Sequence, residues 1–503
     1  MSAAPDSPKQ ARTAARQGEG IPATAPETPP VPTPAASHTA AFVAPMAWVN
    51  GAWAHDVLLT VAPDGRWQSV QANAPAEAQR GATRLGGAVV PGLVNAHSHA
   101  FQRVIVGLTE RAGPAADDFW SWRERMYSAA RRITPEQLEA VAAWLYAELL
   151  AGGYTQVCEF HYLHNDVDGS PYAAPMEMSM ALVRAAQRVG IGLTLLPTLY
   201  MHAGFGAQPL RSEQRRFAST PDTVLALADA VNALGDPRVR AGVALHSLRA
   251  VDAGALREVA DATAEWRVPV HIHIAEQTQE VADCLAHTGQ RPVEWLLQHA
   301  APDARWNLVH ATHTTPAELQ GVRDAGAAIV ICPSTEANLG DGVFDLPALL
   351  QAGGAWSIGS DSHVTRSWVE ELRLLEYSQR LARRQRNVAA RHAVGRRVAL
   401  GDELSTAAVL LDGAVAGGSA AAGLPLAGIV VGQRADFAVV CPRAPALLGV
   451  PPAHLLDALV FSSPQAHWGE VFVAGVPRVV AGRHADADAL GNHFARAMRH
   501  IWG

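Results

Sequence analysis

Residues 86–103 read GGAVVPGLVNAHSHAFQR. A valine-rich apolar run stops abruptly on two histidines one residue apart, His97 and His99, with Gln102 and Arg103 just beyond. A run without polar alternation reads as a strand buried on both faces, as in a parallel sheet covered by helices. Side chains two residues apart on a strand share a side. His97 and His99 are therefore placed to grip one cation with neutral imidazole nitrogens. One such pair is a weak signal by itself, and its meaning depends on the other runs of the chain.

Seven further runs follow: TQVCEFHY, GLTLLPTLY, RAGVALHS, VPVHIHIAE, WNLVHATH, AAIVICPST and AWSIGSDSH. Helical stretches separate them, among them PEQLEAVAAWLYAELLAGG, which stops at Gly152-Gly153, and MALVRAAQRVG. Eight strand–helix alternations predict an α/β fold, a (β/α)8 TIM barrel, with a doubly wound open sheet as the competing arrangement. Polar residues gather where the runs end: His97 and His99, Tyr162, His246, His273 and Glu276, His310, and Asp361. A single histidine at a strand end is usually a satisfied core or surface residue. Six of eight runs ending on metal-capable or proton-carrying side chains point instead to the active face of a barrel.

The flanks have a different texture. AWVNGAW and LLTVAPDGRWQSVQ, with an Asp64-Gly65 turn, read as antiparallel strands. The texture returns in GIVVGQRADFAVV and EVFVAGVPRVVAGRH. The expected division is a small flanking β-sandwich domain from 41–88 and 420–485, a barrel over 89–419 and a C-terminal helix over 486–503. Residues 1–40, rich in Ala, Pro, Ser and Thr, are expected to form a disordered tail. That tail lacks the apolar core of a secretory signal.

Composition narrows the function classes. The 503 residues are 49% hydrophobic and 17% charged, enough for a large core. A formal net charge of −7 provides no global field to attract nucleic acid or anionic lipid. No apolar stretch of about 18 residues suggests a membrane span. Four cysteines, Cys158, Cys284, Cys332 and Cys441, form no close framework. They read as free thiols of a cytoplasmic protein. Of 40 basic residues only Lys9 is a lysine.

The fifth run adds a second pair, His271 and His273, with Glu276 three residues on, and the eighth adds Asp361. Two histidines from run one, one from run five and an aspartate make a donor set suited to Zn²⁺, with Fe²⁺ as the alternative. PGLVNAHSHAFQR, HIHIAEQ, LVHATH, STEANLGDG and IGSDSH together resemble the amidohydrolase superfamily, specifically its deaminase branch. FWSWRERMY, EFHYLH, HAGFGAQP and HSLRAV resemble those members that hydrolyse N-formimino-L-glutamate. The resemblance is dense over about 85–380 and weaker over the flanking β segments. It implies metal ligands His97, His99, His273 and Asp361, with His271 packing or hydrogen-bonding nearby. Many superfamily members bridge two metals with a carbamylated lysine at the end of strand four. Here that strand ends in His246 and the only lysine lies in the tail, so one metal is expected.

The implied activity is metal-dependent hydrolysis of N-formimino-L-glutamate to N-formyl-L-glutamate and ammonia, a step of histidine breakdown. A related deaminase acting on a ring such as guanine or an imidazolone is the alternative. Asp361 is placed to take a proton from the attacking water. Glu276 is expected to protonate the leaving nitrogen, and His310 to orient the water or share the proton traffic. The other reading of Glu276 is a carboxylate that steadies a ligand histidine. A dicarboxylate substrate calls for arginine forks, and the resemblance assigns Arg123 and Arg249 to that role. From composition alone Arg123 reads as a solvated helix charge. Gln102, Tyr162 and His246 are matched to polar pocket contacts. STEANLGDG is expected to loop over the site, with Gly340 and Gly342 permitting tight turns. Departures from the family pattern are the tail and an Ala/Gly-rich patch at 412–425. The resemblance suits a homodimer, on which the surface pattern is silent.

Overall fold

The computed structural model describes residues 39–111, 119–393, 399–400, 403–463 and 468–503. The tail expected over 1–40 lies outside the described residues, apart from its last two positions. Residues 37–503 form one compact unit.

The eight runs are the eight strands of a parallel barrel: β1 Leu93–Ser98, β2 Tyr154–His161, β3 Gly192–Leu199, β4 Val243–Leu245, β5 Val270–Ile274, β6 Trp306–His310, β7 Ala328–Ile331 and β8 Ala355–Ile358. They pair in chain order. Every residue of β1, β2, β3 and β5 is buried, as expected for strands with side chains on one face inside the barrel and on the other under helices. β4 is short because Gly242 breaks it from a preceding piece, Val239–Ala241, that pairs only with β3. A Cβ on Gly242 would lie 2.4 Å from the Pro269 carbonyl oxygen, so only glycine permits the close approach of β5 there.

The ring closes between β8 and β1. The Asp361 amide donates to the His97 carbonyl at 2.9 Å, and the His99 amide donates to the Asp361 carbonyl at 3.2 Å. Below this, the Asn95 side chain donates to Ser360 Oγ at 2.7 Å and accepts from the Ser360 amide at 2.8 Å. The closure seam thus carries three of the residues singled out in the sequence.

Around the barrel the helices carry ordinary start and stop signals. The helix Pro135–Ala151 begins with a Thr134–Gln137 capping box and proline at its first position. Glu177–Val189 ends at Gly190 in the left-handed region. No helix among the described residues is long and apolar enough to cross a membrane.

The N- and C-terminal segments join in one nine-stranded, mainly antiparallel sheet, with Val89–Pro91 between Ala40–Val49 and Phe437–Val440. The sheet curls round its own core. Trp67, near its far edge, meets Phe437 at 5.4 Å between ring centroids, and Phe437 stacks on Phe472 at 4.3 Å. A bridge between Arg66 and Arg434 ties the curled edge down.

The Ala/Gly-rich patch forms the second half of a helix, Thr406–Ala422, buried on nearly every side. Its small residues let it lie against β8 and β1. A Cβ on Gly417 would fall 1.8 Å from the Trp356 carbonyl oxygen, and one on Gly418 would fall 2.9 Å from Val94 Cβ. The carbonyls of Ala421 and Ala422 accept hydrogen bonds from His271 Nε2 at 2.9 Å and Thr194 Oγ1 at 3.0 Å. The end of this helix therefore closes the barrel from the side opposite the strand C-termini.

Candidate active site

At the C-terminal mouth of the barrel four side chains converge on one point. His97 Nε2 lies 3.0 Å from His273 Nε2 and 3.4 Å from Asp361 Oδ1, and His99 Nε2 lies 3.4 Å from the same Oδ1. His99 is oriented by its other nitrogen, where Nδ1 donates to the Phe160 carbonyl at 2.9 Å and leaves the Nε2 lone pair free. All four residues are buried. Burial pushes His97 down to about 3, and it also lowers His99 and His273, so all three rings are neutral near pH 7. Burial alone would raise Asp361. The His97 hydrogen bond and the imidazoles around it prevail and hold it ionised, well below the usual carboxylate range.

This arrangement fits a cation. Two neutral rings facing each other nitrogen to nitrogen at 3.0 Å must share either one proton or one ion. A tetrahedral ion with metal–nitrogen bonds of about 2.0–2.1 Å separates its ligand atoms by about 3.3–3.4 Å. The donor spacings here, 3.0 to 3.4 Å, match that edge. His97, His99 and Asp361 form one group able to hold a metal ion, and His97, His273 and His310 form another that shares His97. His271 points its Nε2 away from this cluster, to Ala421.

Beside the cluster stands an acid–base pair. His310 Nε2 lies 3.8 Å from Glu276 Oε1 and 3.8 Å from Asp361 Oδ2. Burial pushes the Glu276 carboxyl up to about 7, opposed in part by His310. Burial lowers His310 as well, but Glu276 and then Cys332 and Glu336 outweigh it and keep the ring protonated well above its ordinary range. Glu280 fixes the turn that carries Glu276, accepting from the Ala275 and Glu276 amides at 3.3 and 3.2 Å. Ala275, His310 and Asp361 all take left-handed backbone conformations, with φ of 50°, 67° and 46°. Such conformations in non-glycine residues concentrate where function demands them.

A cleft opens above. It is lined by His99, Gln102, Arg123, Tyr162, His246, Arg249, His273, Glu276, His310 and Asp361, so every residue expected to act as ligand, acid–base group or substrate contact faces it except His97, which lies fully buried beneath. Gln102 donates to the Tyr162 hydroxyl at 3.1 Å. His246 packs on Tyr200 with ring centroids 4.3 Å apart. Arg123 sits on the helix Phe119–Ala130, over the Trp120 ring at 4.3 Å. Among the described residues neither Arg123 nor Arg249 has an acidic partner within 4 Å, and the Nε of each is buried without a hydrogen-bond acceptor.

The structure also brings in residues that the sequence reading passed over. Gln214 donates to both the Tyr127 and Tyr200 hydroxyls, at 3.2 and 2.8 Å, and so sets the wall behind the arginines. Glu336 lies 3.4 Å from His310 Nδ1. Asp341 accepts from Gln277, the neighbour of Glu276. Both acids belong to STEANLGDG, which is not simply a loop. Pro333 at its first turn and Gly340 in the left-handed region make Pro333–Leu339 a short helix, and Leu339 from its end lines the cleft. Two acids inside that string were the available signal.

Comparison with known proteins agrees with this geometry. A family model described as the amidohydrolase family matches residues 88–478. The formimidoylglutamate deiminase of Pseudomonas aeruginosa is 45% identical over 459 residues, which is 91% of this chain and 98% of the relative. A 5-methylthioadenosine/S-adenosylhomocysteine deaminase of Halobacterium salinarum is 28% identical over 72% of this chain and 75% of its own length. Among solved structures, an amidohydrolase from Brucella melitensis superposes with a TM-score of 0.86 at 43% identity, covering 92% of this chain and all of that one. An adenosine deaminase from Xanthomonas campestris with bound zinc shares the fold, with a TM-score of 0.73 at 23% identity over 92% of this chain and 98% of its own. The chain belongs to the amidohydrolase family.

Proposed function

We propose that the protein hydrolyses N-formimino-L-glutamate to N-formyl-L-glutamate and ammonia, a step of histidine degradation, with one zinc ion at the barrel mouth. The observation that carries this reading is the pair of arginines, Arg123 and Arg249, which among the described residues have no acidic partner within 4 Å, in the same cleft as the histidine–aspartate cluster. Two unpaired guanidiniums call for an anionic substrate, and two carboxylates satisfy both. The 45% identity to a formimidoylglutamate deiminase over almost the whole of both chains supports the same substrate.

His97, His99, His273 and Asp361 would hold the ion. A divalent ion there supplies a water acidified enough to attack an sp² carbon near neutral pH. Asp361, kept ionised, is placed to accept the water's first proton. Glu276 has a proton to give near neutrality, which is the range in which acid catalysis is most effective. It delivers that proton to the formimino nitrogen as the C–N bond breaks. The nitrogen takes its second proton from Asp361 and leaves as ammonia, while the carbon keeps the oxygen and the remaining proton of the water returns to Glu276. His310, within 3.8 Å of both carboxyls, is favoured as a cation once Glu276 has given up its proton and then steadies the negative charge that passes between them. Gln102, Tyr162 and His246 close the polar wall round the reacting carbon, and the arginines hold the two carboxylates at the far end.

Ammonia release from N-formimino-L-glutamate, compared with guanine and an imidazolone, tests the reading. Turnover of the linear amidine is expected, and Arg249→Ala should raise KM about 10- to 100-fold, as loss of hydrogen bonds to a charged group does. A preference for a ring substrate, which the aromatic walls could stack, would overturn it.

A further inference from the structure

We infer that Glu159, at the end of β2, is a positioning residue for the metal ligand His99 and a second source of negative charge for the cation. Its carboxylate is 2% exposed and accepts three hydrogen bonds: from Ser98 Oγ at 2.6 Å, from the Ala100 amide at 2.5 Å and from the Tyr146 hydroxyl at 3.2 Å. Ser98 and Ala100 flank His99 on either side. The next residue, Phe160, accepts from His99 Nδ1. Two consecutive residues of β2 thus hold both shoulders of His99 and the ring itself.

The need for this support is visible in the ladder. The β1–β2 pairing slips between Asn95 and Ser98, so on the β2 side regular strand hydrogen bonding does not fix the segment that carries His97 and His99, whose backbone bonds go to Asp361 on the other side. Glu159 replaces the missing ladder with a side chain. Three donors and, among the described residues, no cationic partner within 4 Å also make its choice informative. Burial pushes the Glu159 carboxyl up to about 7 against these three donors, so a nearby cation would favour its ionised form, and a neutral glutamine could keep some of the bonds but not that charge. Three neutral imidazoles and one aspartate leave a divalent ion half compensated, and Glu159 is the buried carboxylate bonded to the turn that carries His99.

The test is zinc affinity of the purified full-length protein, by competition against a chelating dye at fixed pH, with melting temperatures of the apo and zinc-loaded forms. Glu159→Gln keeps the shape and removes the charge, and should weaken zinc binding about 10- to 100-fold. Ser98→Ala removes one bond on the histidine side and should weaken it in the same direction by several-fold. Tyr146→Phe removes the one bond that does not reach the histidine turn, and should leave affinity within about threefold. Cobalt-substituted Glu159→Gln should also show a shifted visible spectrum. A Glu159→Gln protein with parental zinc affinity, even if it melts lower, would make Glu159 barrel glue and overturn the inference. If that variant does not fold, parental affinity in Ser98→Ala overturns it. A parent chain that takes up no divalent ion overturns the metal reading and this inference together.

Discussion

Among the described residues Glu276 has His310 at 3.8 Å and no closer cation, and it lies inside a mouth with little solvent. Its raised proton affinity has two measurable consequences. Glu276→Gln should retain the parent's zinc content while kcat falls about 10²- to 10⁴-fold, the usual contribution of a positioned acid. A near-normal kcat at unchanged metal content would remove Glu276 from the chemistry. The second consequence concerns folding of the metal-free protein. A carboxyl at about 7 in the folded state and near 4.3 unfolded binds more protons when folded throughout that interval. Its contribution to stability is complete below the lower value and is lost as pH rises through the upper one. The glutamine variant lacks that loss. Metal-free Glu276→Gln and parent should therefore melt closest together near pH 4, below the unfolded value, and the variant should melt progressively higher as pH rises to 8. This is the trade that active sites make between stability and chemistry.

At the scale of elements, the helix Thr406–Ala422 shows how local preference yields to packing. Glycine in a helix interior ordinarily costs about 1 kcal/mol relative to alanine. Three glycines persist here, Gly413, Gly417 and Gly418, because Trp356 and Val94 occupy the space a Cβ would need. Gly417→Ala should destabilise the protein by about 1–3 kcal/mol through overpacking, opposite in sign to its helix propensity. A melting temperature at or above the parent's would show that β8 gives way. The patch offered no amphipathic pattern in the sequence, since a helix buried on nearly all sides has no polar face to alternate with. It read there as a departure from the family pattern. In the fold its C-terminal carbonyls take up His271 and Thr194 and stop the barrel from below.

Across the whole molecule, the proposed cation site joins β1, β5 and β8, the last two of which are far from β1 in sequence. The closure seam at His97, His99 and Asp361 depends on few backbone bonds. An ion bound only by the folded state adds about 4 kcal/mol at a thousandfold excess over its dissociation constant. Chelation should therefore lower the melting temperature as well as abolish turnover, and zinc should restore both. Amide exchange should quicken first at 95–100 and 359–363, where the ion bridges the seam. Uniform loosening would place the ion's effect elsewhere.

The sequence by itself determined the barrel. Eight apolar runs ended in polar residues, and strands buried on both faces leave a signal that depends on nothing distant. It also marked most of the site, because strand C-termini converge in any such barrel and His97, His99, Glu276, His310 and Asp361 stand there in order. What only the tertiary structure decided was depth and partnership. His271 and His273 share a strand and a side, and periodicity cannot separate them. Register against neighbouring strands places one nitrogen at Ala421 and the other 3.0 Å from His97. The partners of Glu159, Glu336 and Gln214 could not be read for the same reason: each acts on a residue at least 13 positions away, through contacts that exist only once the barrel is closed.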